Sequence, residues 1–216
     1  MNTNPVKAIF FDMDGLLVDT ESLSFESARE VLAGVDVKIS KEWYIRENLG
    51  QGKSSLSLAR DKGISEKEIE QLRTRRKELY RQLLSRTVEP LDGVPEVLSL
   101  LQDRFVLAIV TSSQRDNFEL VMEKTGLAHF FDFVITGDDV TKLKPDPEPY
   151  LRALGMSKQD KQYCLVLEDS LRGVQSAKAA GLKCYAIPDA LTREQNFSIA
   201  DRVLTSIHEL PPLLGL

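Results

Sequence analysis

The chain has 216 residues, with 28 lysines and arginines against 33 aspartates and glutamates, giving a formal net charge of −5. This length allows one large domain, or one domain with a smaller inserted unit. The acidic balance without a basic tail disfavours nucleic acid as a partner, and the absence of an apolar stretch of about 18 residues disfavours a membrane span.

The cysteines and histidines exclude several kinds of site. Cys164 and Cys184 fall at the starts of predicted strands and lack C-x-x-C spacing, so we expect buried free thiols in a reducing cytoplasm. A core strand starts within a few residues of the N-terminus, so no signal peptide is expected. Neither His129 nor His208 has a catalytic sequence context, which disfavours Ser-His-Asp chemistry and histidine-rich zinc sites.

The first strong pattern is the apolar run at residues 6–11, interrupted only by Lys7. Uniform apolar runs are typical of strands that are buried on both faces of a parallel sheet. The run ends at Asp12, Asp14 and Gly15. These residues either form an ordinary turn or place two carboxylates where ligands bind in open α/β sheets, beyond the carboxyl ends of the strands.

Residues 17–89 differ from the rest of the chain because they have helical periodicity, many charges and no strand-like run. We interpret this segment as an all-helical insertion of about half a domain. Side chains that can accept a hydrogen bond from a helix N-terminus precede its predicted helices. These candidate N-caps are Thr20 (or Asp19), Ser40, Ser54 and Ser65.

A glycine-rich loop at residues 49–54 contains Gly50, Gly52 and Lys53. It lacks the G-x-x-x-x-G-K-[ST] spacing of a phosphate-binding loop, and no predicted strand precedes it. Lys53 therefore belongs either to a flexible surface loop or to a substrate contact.

From residue 90 onward, predicted strands alternate with amphipathic helices. The strands fall at residues 105–110, 133–135, 164–167 and 183–187, with Val203 a candidate for a last short one. This alternation predicts a parallel sheet with right-handed crossovers. The predicted fold class is therefore α/β, with a Rossmann-like core formed by residues 1–16 and 90–216 and the helical segment inserted between them.

Polar side chains follow the predicted strands, and parallel strands bring their carboxyl ends to one edge of the sheet. A nucleophile, an acid, a hydroxyl, a cation and a carboxylate pair at that edge suit phosphoryl transfer. An oxygen-lined site with few protein ligands suits Mg²⁺. The residues are Asp12, Asp14, Thr111, Lys144, Glu168 and Asp169.

The polar residues that follow the second and later predicted strands also have an ordinary structural interpretation. Thr111 and Ser112 are suited to capping the helix that follows them. The weaker alternative for Lys144 is a solvated loop lysine, which the following proline disfavours because it restricts the backbone beside it. The sequence from Glu168 to Ser170 has the composition of a helix start.

Four short motifs, taken together and in order, resemble the signature of the haloacid dehalogenase superfamily. They read DMDGLLVD at residues 12–19, VTS at 110–112, KPDP at 144–147 and LEDS at 167–170. The similarity is greatest to the phosphatase and β-phosphoglucomutase branch and covers nearly the whole chain. The helical segment falls where this family inserts a cap domain that sets substrate specificity.

The resemblance implies that Asp12 is a nucleophile forming an aspartyl-phosphate. Asp14 would protonate the leaving alcohol and then act as the base for water, while its backbone carbonyl would also bind the metal. Asp19 is outside this catalytic set, because an aspartate before a helix is more often a structural cap.

The resemblance also implies the binding residues. Thr111 and the amide of Ser112 would hold phosphate oxygens, and Lys144 would pair with both the nucleophile and the phosphate. Asp169 would complete the Mg²⁺ site that Asp12 and Asp14 begin. Glu168 would either ligate the ion or hydrogen-bond its waters.

The leading expectation is a Mg²⁺-dependent phosphatase that hydrolyses a small soluble phosphate monoester, such as a sugar phosphate. We expect a cytoplasmic monomer that binds neither nucleic acid nor membranes. A non-catalytic binding protein, a dehalogenase and a phosphonate hydrolase are weaker alternatives.

A phosphosugar mutase of the β-phosphoglucomutase type is the main alternative. Aligned from Asp19, the mutase histidine of the first cap helix corresponds to Ser24, and the arginine of the cap loop corresponds to Lys53. A lysine neutralises a phosphate but cannot form the bidentate fork of an arginine. Both differences favour water as the phosphoryl acceptor, and Lys53 remains a candidate substrate contact.

Overall fold

The computed structural model describes residues 5–216, so the first four residues of the predicted α/β domain lie outside the described part of the chain. The chain divides into two compact units, one of which is the continuous segment Thr20–Val88. The other, called the α/β unit below, comprises the flanking segments up to Asp19 and from Glu89 to Leu216.

The boundaries of the two units differ slightly from the predicted insertion at residues 17–89. Residues 17–19 and Glu89 belong to the α/β unit, because the two chain segments pair where they enter and leave it. The Leu91 amide donates a hydrogen bond to the Leu17 carbonyl (2.9 Å), and Val18 forms an antiparallel bridge with Pro90.

The described residues of the α/β unit contain one parallel sheet, which confirms the predicted fold class. Its strand order is β3-β2-β1-β4-β5-β6, with β1 near the middle. Every neighbouring pair runs parallel. The strands are β1 (Ala8–Phe11), β2 (Val106–Val110), β3 (Phe133–Ile135), β4 (Cys164–Glu168), β5 (Lys183–Ala186) and β6 (Arg202–Val203).

The described residues of the Thr20–Val88 unit form helices and the loops that connect them, with no strand. A π-helical segment at Tyr44–Leu49 continues directly from its second helix. Side chains of α1, α2, α3 and α4 share an apolar cluster that includes Leu32, Tyr44 and Ile69. The helices are α1 (Glu21–Ala33), α2 (Lys41–Trp43), α3 (Ser57–Asp61) and α4 (Glu66–Thr87).

Two of the predicted N-caps of this unit are confirmed. Ser40 accepts a hydrogen bond from the Trp43 amide, and Ser65 forms a capping box with Glu68 at the start of α4. The prediction for Ser54 was wrong, because α3 begins only at Ser57. Thr20 occupies the N-cap position of α1 but makes no capping hydrogen bond with its side chain.

Helices of the α/β unit alternate with its strands along the chain from α5 to α8. The central strands β1 and β4 are buried along their whole length. The two cysteines are buried free thiols, as predicted. No helix within residues 5–216 is long and apolar enough to cross a bilayer. The remaining helices are α5 (Val94–Leu101), α6 (Arg115–Thr125), α7 (Glu148–Ser157), α8 (Leu171–Ala179) and α9 (Leu210–Leu213).

Candidate active site

The candidate site lies at the carboxyl ends of the three neighbouring strands β2, β1 and β4. In the register of the sheet, Phe11 of β1 is level with Ile109 of β2 and Leu167 of β4. The residues that follow these three positions therefore emerge at the same edge. Asp12 remains attached to the sheet, since its amide donates to the Leu167 carbonyl (3.0 Å).

The ammonium group of Lys144 links these strands. Lys144 Nζ donates to Asp12 Oδ1 (2.5 Å), to Glu168 Oε1 (2.6 Å) and to the carbonyl oxygen of Val110 (2.7 Å). Its three protons thus have three acceptors, one from each of the strand ends. Only 5% of Lys144 is exposed, which excludes the alternative of a solvated loop lysine.

The loop that carries Lys144 is itself held by α8. Arg172 donates from Nη2 to the Lys144 carbonyl oxygen, and Ser176 Oγ donates to the Asp146 carbonyl oxygen (2.6 Å). The Lys144–Pro145 peptide bond is cis. Two carbonyl oxygens of the KPDP segment are thus held by side chains of α8.

Three buried carboxylates lie close together here, and two of them, Asp12 and Glu168, bind the Lys144 ammonium group. Asp12, Glu168 and Asp169 each offer an oxygen, and these oxygens lie within 4.8 Å of one another. One lysine cannot neutralise three carboxylates, and the excess negative charge of a compact oxygen cluster suits a divalent cation of the Mg²⁺ type. The donor set therefore fits the predicted metal.

Burial and the neighbouring charges shift the pKa values of Asp12 and Lys144. Burial raises the pKa of the Asp12 carboxyl well above its usual range, and the neighbouring Glu168 and Asp14 add to this effect, while Lys144 opposes it. For Lys144, burial alone would lower the pKa, but the carboxylates of Asp12 and Glu168 outweigh it and raise the pKa. Lys144 is therefore a permanent cation, and further positive charge beside Asp12 favours the ionised, nucleophilic form of that carboxylate.

Gly15 allows the turn after β1 to close on Asp169. Its φ of +84° is in the left-handed region, and a Cβ atom at this position would lie 2.5 Å from Asp169 Oδ2. Any side chain here would therefore clash with the predicted metal ligand as well as straining the backbone.

Asp14 is oriented by two hydroxyl groups at the end of β2. Thr111 Oγ1 and Ser113 Oγ both donate to Asp14 Oδ2, at 2.8 and 2.9 Å. Thr111 Oγ1 in turn accepts a hydrogen bond from the Ser113 amide (2.9 Å). Thr111 therefore positions the predicted acid in this arrangement, and Ser112 is exposed beside it.

Glu168 is fully buried and is held by more than Lys144. The Tyr150 hydroxyl donates to Oε1 (2.7 Å), and Ser170 Oγ donates to Oε2 (3.1 Å). Ser170 also caps α8 by accepting from the Gly173 amide. A Cβ atom at Gly173 would lie 1.9 Å from Glu168 Oε1, so only glycine fits against this carboxylate.

The sequence analysis did not identify Tyr150, Ser113 and Arg172 as site residues. The available signals were weak: Ser113 directly follows the VTS motif, Arg172 lies two residues beyond LEDS, and Tyr150 lies three residues beyond KPDP. Lys53 is the only predicted site residue that belongs to the Thr20–Val88 unit. There it is exposed, and its Nζ lies 5.7 Å from the centroid of the Trp43 ring.

The sequence pattern that defines the haloacid dehalogenase-like hydrolases matches residues 9–187, which include every predicted site residue. The chain belongs to this family. The resemblance inferred from the four motifs is confirmed, and the protein is a haloacid dehalogenase-like hydrolase.

Several members of the family are similar over almost their full length. Protein CbbY of Rhodobacter capsulatus is 34% identical, with 91% of each chain covered. A phosphorylated carbohydrates phosphatase of Thermotoga maritima is 32% identical, with 86% of this chain and 87% of the relative covered. The crystal structure of CbbY from Rhodobacter sphaeroides in complex with xylulose-(1,5)bisphosphate is 27% identical, covers 95% of this chain and 96% of that one, and has a TM-score of 0.79.

Proposed function

We propose that this haloacid dehalogenase-like hydrolase is a Mg²⁺-dependent phosphatase that acts on a small phosphorylated carbohydrate or a similar phosphate monoester. The observation that carries the proposal is the buried arrangement of Asp12 and Glu168 on the Lys144 ammonium group, with Asp169 within reach. The names of the relatives from Rhodobacter and Thermotoga support the substrate class. The cytoplasm remains the expected location.

Asp12 is the proposed nucleophile. Lys144 holds its Oδ1, so the other carboxylate oxygen attacks the phosphorus atom, and the bond between phosphorus and the ester oxygen breaks. The product is an aspartyl-phosphate on Asp12 and an alkoxide that requires a proton. When bound, Mg²⁺ would supply positive charge that screens the repulsion between carboxylate and phosphate. Asp12, Asp169, Glu168 and the backbone carbonyl of Asp14 are the groups we expect to hold it.

Asp14 is the proposed general acid and base. In its protonated form it gives its proton to the leaving alkoxide. As a carboxylate it then takes a proton from the water that attacks the aspartyl-phosphate. The hydroxyls of Thr111 and Ser113 both donate to Oδ2 of Asp14 and thereby orient its carboxyl group.

The phosphate-binding roles of Thr111, Ser112 and Lys144 remain part of the proposal. All three Lys144 protons already have acceptors in the protein, so Lys144 contributes charge to phosphate binding rather than an unused donor. We assign substrate selection to the Thr20–Val88 unit, with Lys53 as a candidate contact.

Water is the proposed acceptor rather than a second sugar hydroxyl. Ser24 occupies the position at which the mutase branch carries a histidine. Its Oγ accepts hydrogen bonds from Tyr44 (2.8 Å) and Arg76 (2.9 Å) within its own unit. It cannot supply the imidazole chemistry of the mutase position, which favours hydrolysis.

Phosphate release with and without Mg²⁺ tests the proposal. The protein should liberate inorganic phosphate from p-nitrophenyl phosphate or from members of a sugar phosphate panel, and EDTA should abolish the release. In a parallel arm, β-glucose 1-phosphate is supplied with a catalytic amount of glucose 1,6-bisphosphate. Inertness of the Mg²⁺-loaded protein across the panel would overturn the proposal, and many turnovers to glucose 6-phosphate with little free phosphate would establish a mutase instead.

A further inference from the structure

Tyr150 is a buried polar residue that the mechanism above does not use. It lies on α7 and none of it is exposed to solvent. Its hydroxyl donates to Glu168 Oε1 (2.7 Å), and its ring centroid lies 4.9 Å from Lys144 Nζ. A carboxylate oxygen can only accept, and a phenol is protonated at neutral pH, so the Tyr150 hydroxyl acts as the donor in this hydrogen bond.

The hydrogen bonds of Glu168 show what this donor does. A carboxylate oxygen has two lone pairs in the carboxylate plane. Both directions at Oε1 are taken, one by Lys144 and the other by Tyr150. At Oε2 the donors are the Ser170 hydroxyl at 3.1 Å and the Ser170 amide at 3.5 Å, which is at the outer limit for a hydrogen bond. Oε2 therefore carries the weaker hydrogen bonds, and it is the oxygen we expect to face a cation or a water bound to one.

Glu168 in turn determines where the Lys144 ammonium group sits. Of its three acceptors, the Val110 carbonyl is fixed by the sheet, and Asp12 is the proposed nucleophile. Glu168 is the remaining acceptor. If Glu168 rotated, Lys144 would lose one anchor, and the position of Asp12 Oδ1 would be less defined.

We propose that Tyr150 is a positioning residue: its hydroxyl locks Glu168 Oε1 against Lys144 and thereby aligns both the nucleophile Asp12 and the carboxylates of the proposed cation site. This inference rests on the proposed function for its catalytic consequence. Its consequence for cation binding is independent of turnover and can be measured separately.

Tyr150→Phe is the variant that isolates the hydroxyl, since it retains the ring and its contact with Lys144. Groups that orient metal ligands typically change metal affinity or activity roughly 10–100-fold when removed. We expect a loss of this size in Mg²⁺ affinity, measured by calorimetry. For any ester that the wild type hydrolyses, kcat should fall by a similar factor with KM changed by less than about threefold.

Tyr44→Phe is a matched control. Tyr44 is also fully buried, and its hydroxyl also faces a glutamate, Glu21 (3.2 Å), but it belongs to the Thr20–Val88 unit. The Tyr44→Phe variant should lose about as much thermal stability as Tyr150→Phe but should retain the Mg²⁺ affinity of the wild type.

A second control places Tyr150→Phe in a Glu168→Gln background. There its effect on Mg²⁺ affinity should largely disappear, because residues that act through one another are not additive.

The results separate this inference from the proposed function. If the wild type binds Mg²⁺ but hydrolyses no ester, the proposed function fails and the Mg²⁺ affinities still test Tyr150. The inference is overturned if folded Tyr150→Phe binds Mg²⁺ as the wild type does, if Tyr44→Phe loses as much affinity, or if the wild type does not bind Mg²⁺ at all.

Discussion

Lys144 is the residue on which the charge balance of the site depends. It is the ammonium group between the buried carboxylates of Asp12 and Glu168, at 2.5 and 2.6 Å. Burying these charges is tolerable only because they are paired and hydrogen-bonded to one another. The same residue that orients the proposed nucleophile is therefore needed to make the folded site stable.

Lys144→Ala should lower the free energy of unfolding by about 3–5 kcal/mol, because it leaves two buried carboxylates without their counter-ion. Urea denaturation in the presence of EDTA measures this change without a contribution from Mg²⁺. Lys142→Ala is the control. Lys142 precedes Lys144 by two residues and pairs with Asp146 at 3.5 Å, but 72% of its side chain is exposed, so its removal should have little effect. Similar losses in the two variants would contradict the buried charge balance.

The sequence predicted the site residues that belong to the four motifs. It did not predict the residues outside the motifs that hold those residues in place. Asp12 and Asp169 could be assigned because each directly follows a strand, Glu168 because it ends one, and Asp14 because it lies three residues beyond β1. Tyr150 could not, because its hydroxyl reaches Glu168 only through the packing of α7 against the sheet. A tyrosine on an amphipathic helix is ordinarily a core residue, and nothing in the linear sequence distinguishes this one.

At the scale of elements, the start of α4 shows what makes a cap predictable. Ser65 is followed three residues later by Glu68, and the two form a capping box. Ser54 is followed by Ser57, which cannot complete such a box, and its hydroxyl only accepts a long hydrogen bond from the Leu56 amide (3.3 Å). A partner at the third helical position therefore strengthens the prediction of a cap, although Ser40 caps α2 without one.

Ser65→Ala should destabilise the protein by about 1 kcal/mol, the usual cost of removing a serine N-cap. Ser54→Ala is the comparison, and it should have a smaller effect because no helix begins there. Urea denaturation followed by helical circular dichroism reports both. Equal effects, or a larger one for Ser54→Ala, would show that the capping box does not stabilise α4.

The sequence predicted which segments form strands better than it predicted the residues at which the strands begin and end. The first strand was predicted at residues 6–11 and begins at Ala8, and the fifth was predicted to reach residue 187 and ends at Ala186. Apolar periodicity registers burial, whereas a strand ends where the backbone leaves the hydrogen-bonded ladder. That point depends on the neighbouring strands, which the local sequence does not contain.

At the scale of the whole molecule, the alternation of strands and helices predicted a parallel sheet but not its order. β1 lies between β2 and β4, which are distant from each other in sequence. This order brings the ends of these three strands together and thereby assembles Asp12, Thr111 and Glu168. Which strands become neighbours is decided by long-range packing, so the sequence predicted that these residues share one edge of the sheet but not that their strands are adjacent.

The central claim is that Asp12 is the phosphorylated nucleophile, and rapid acid quenching followed by peptide mapping tests it most directly. The protein is mixed with Mg²⁺ and an ester that it hydrolyses, then quenched within one turnover. Asp19→Asn serves as a control, because Asp19 is exposed and outside the proposed machinery. We predict a phosphoryl group on Asp12 in the wild type and in this control, and neither the phosphoryl group nor turnover in Asp12→Asn. Phosphorylation of another residue, or an Asp12→Asn variant that releases phosphate within a few-fold of the wild-type rate, would contradict the account.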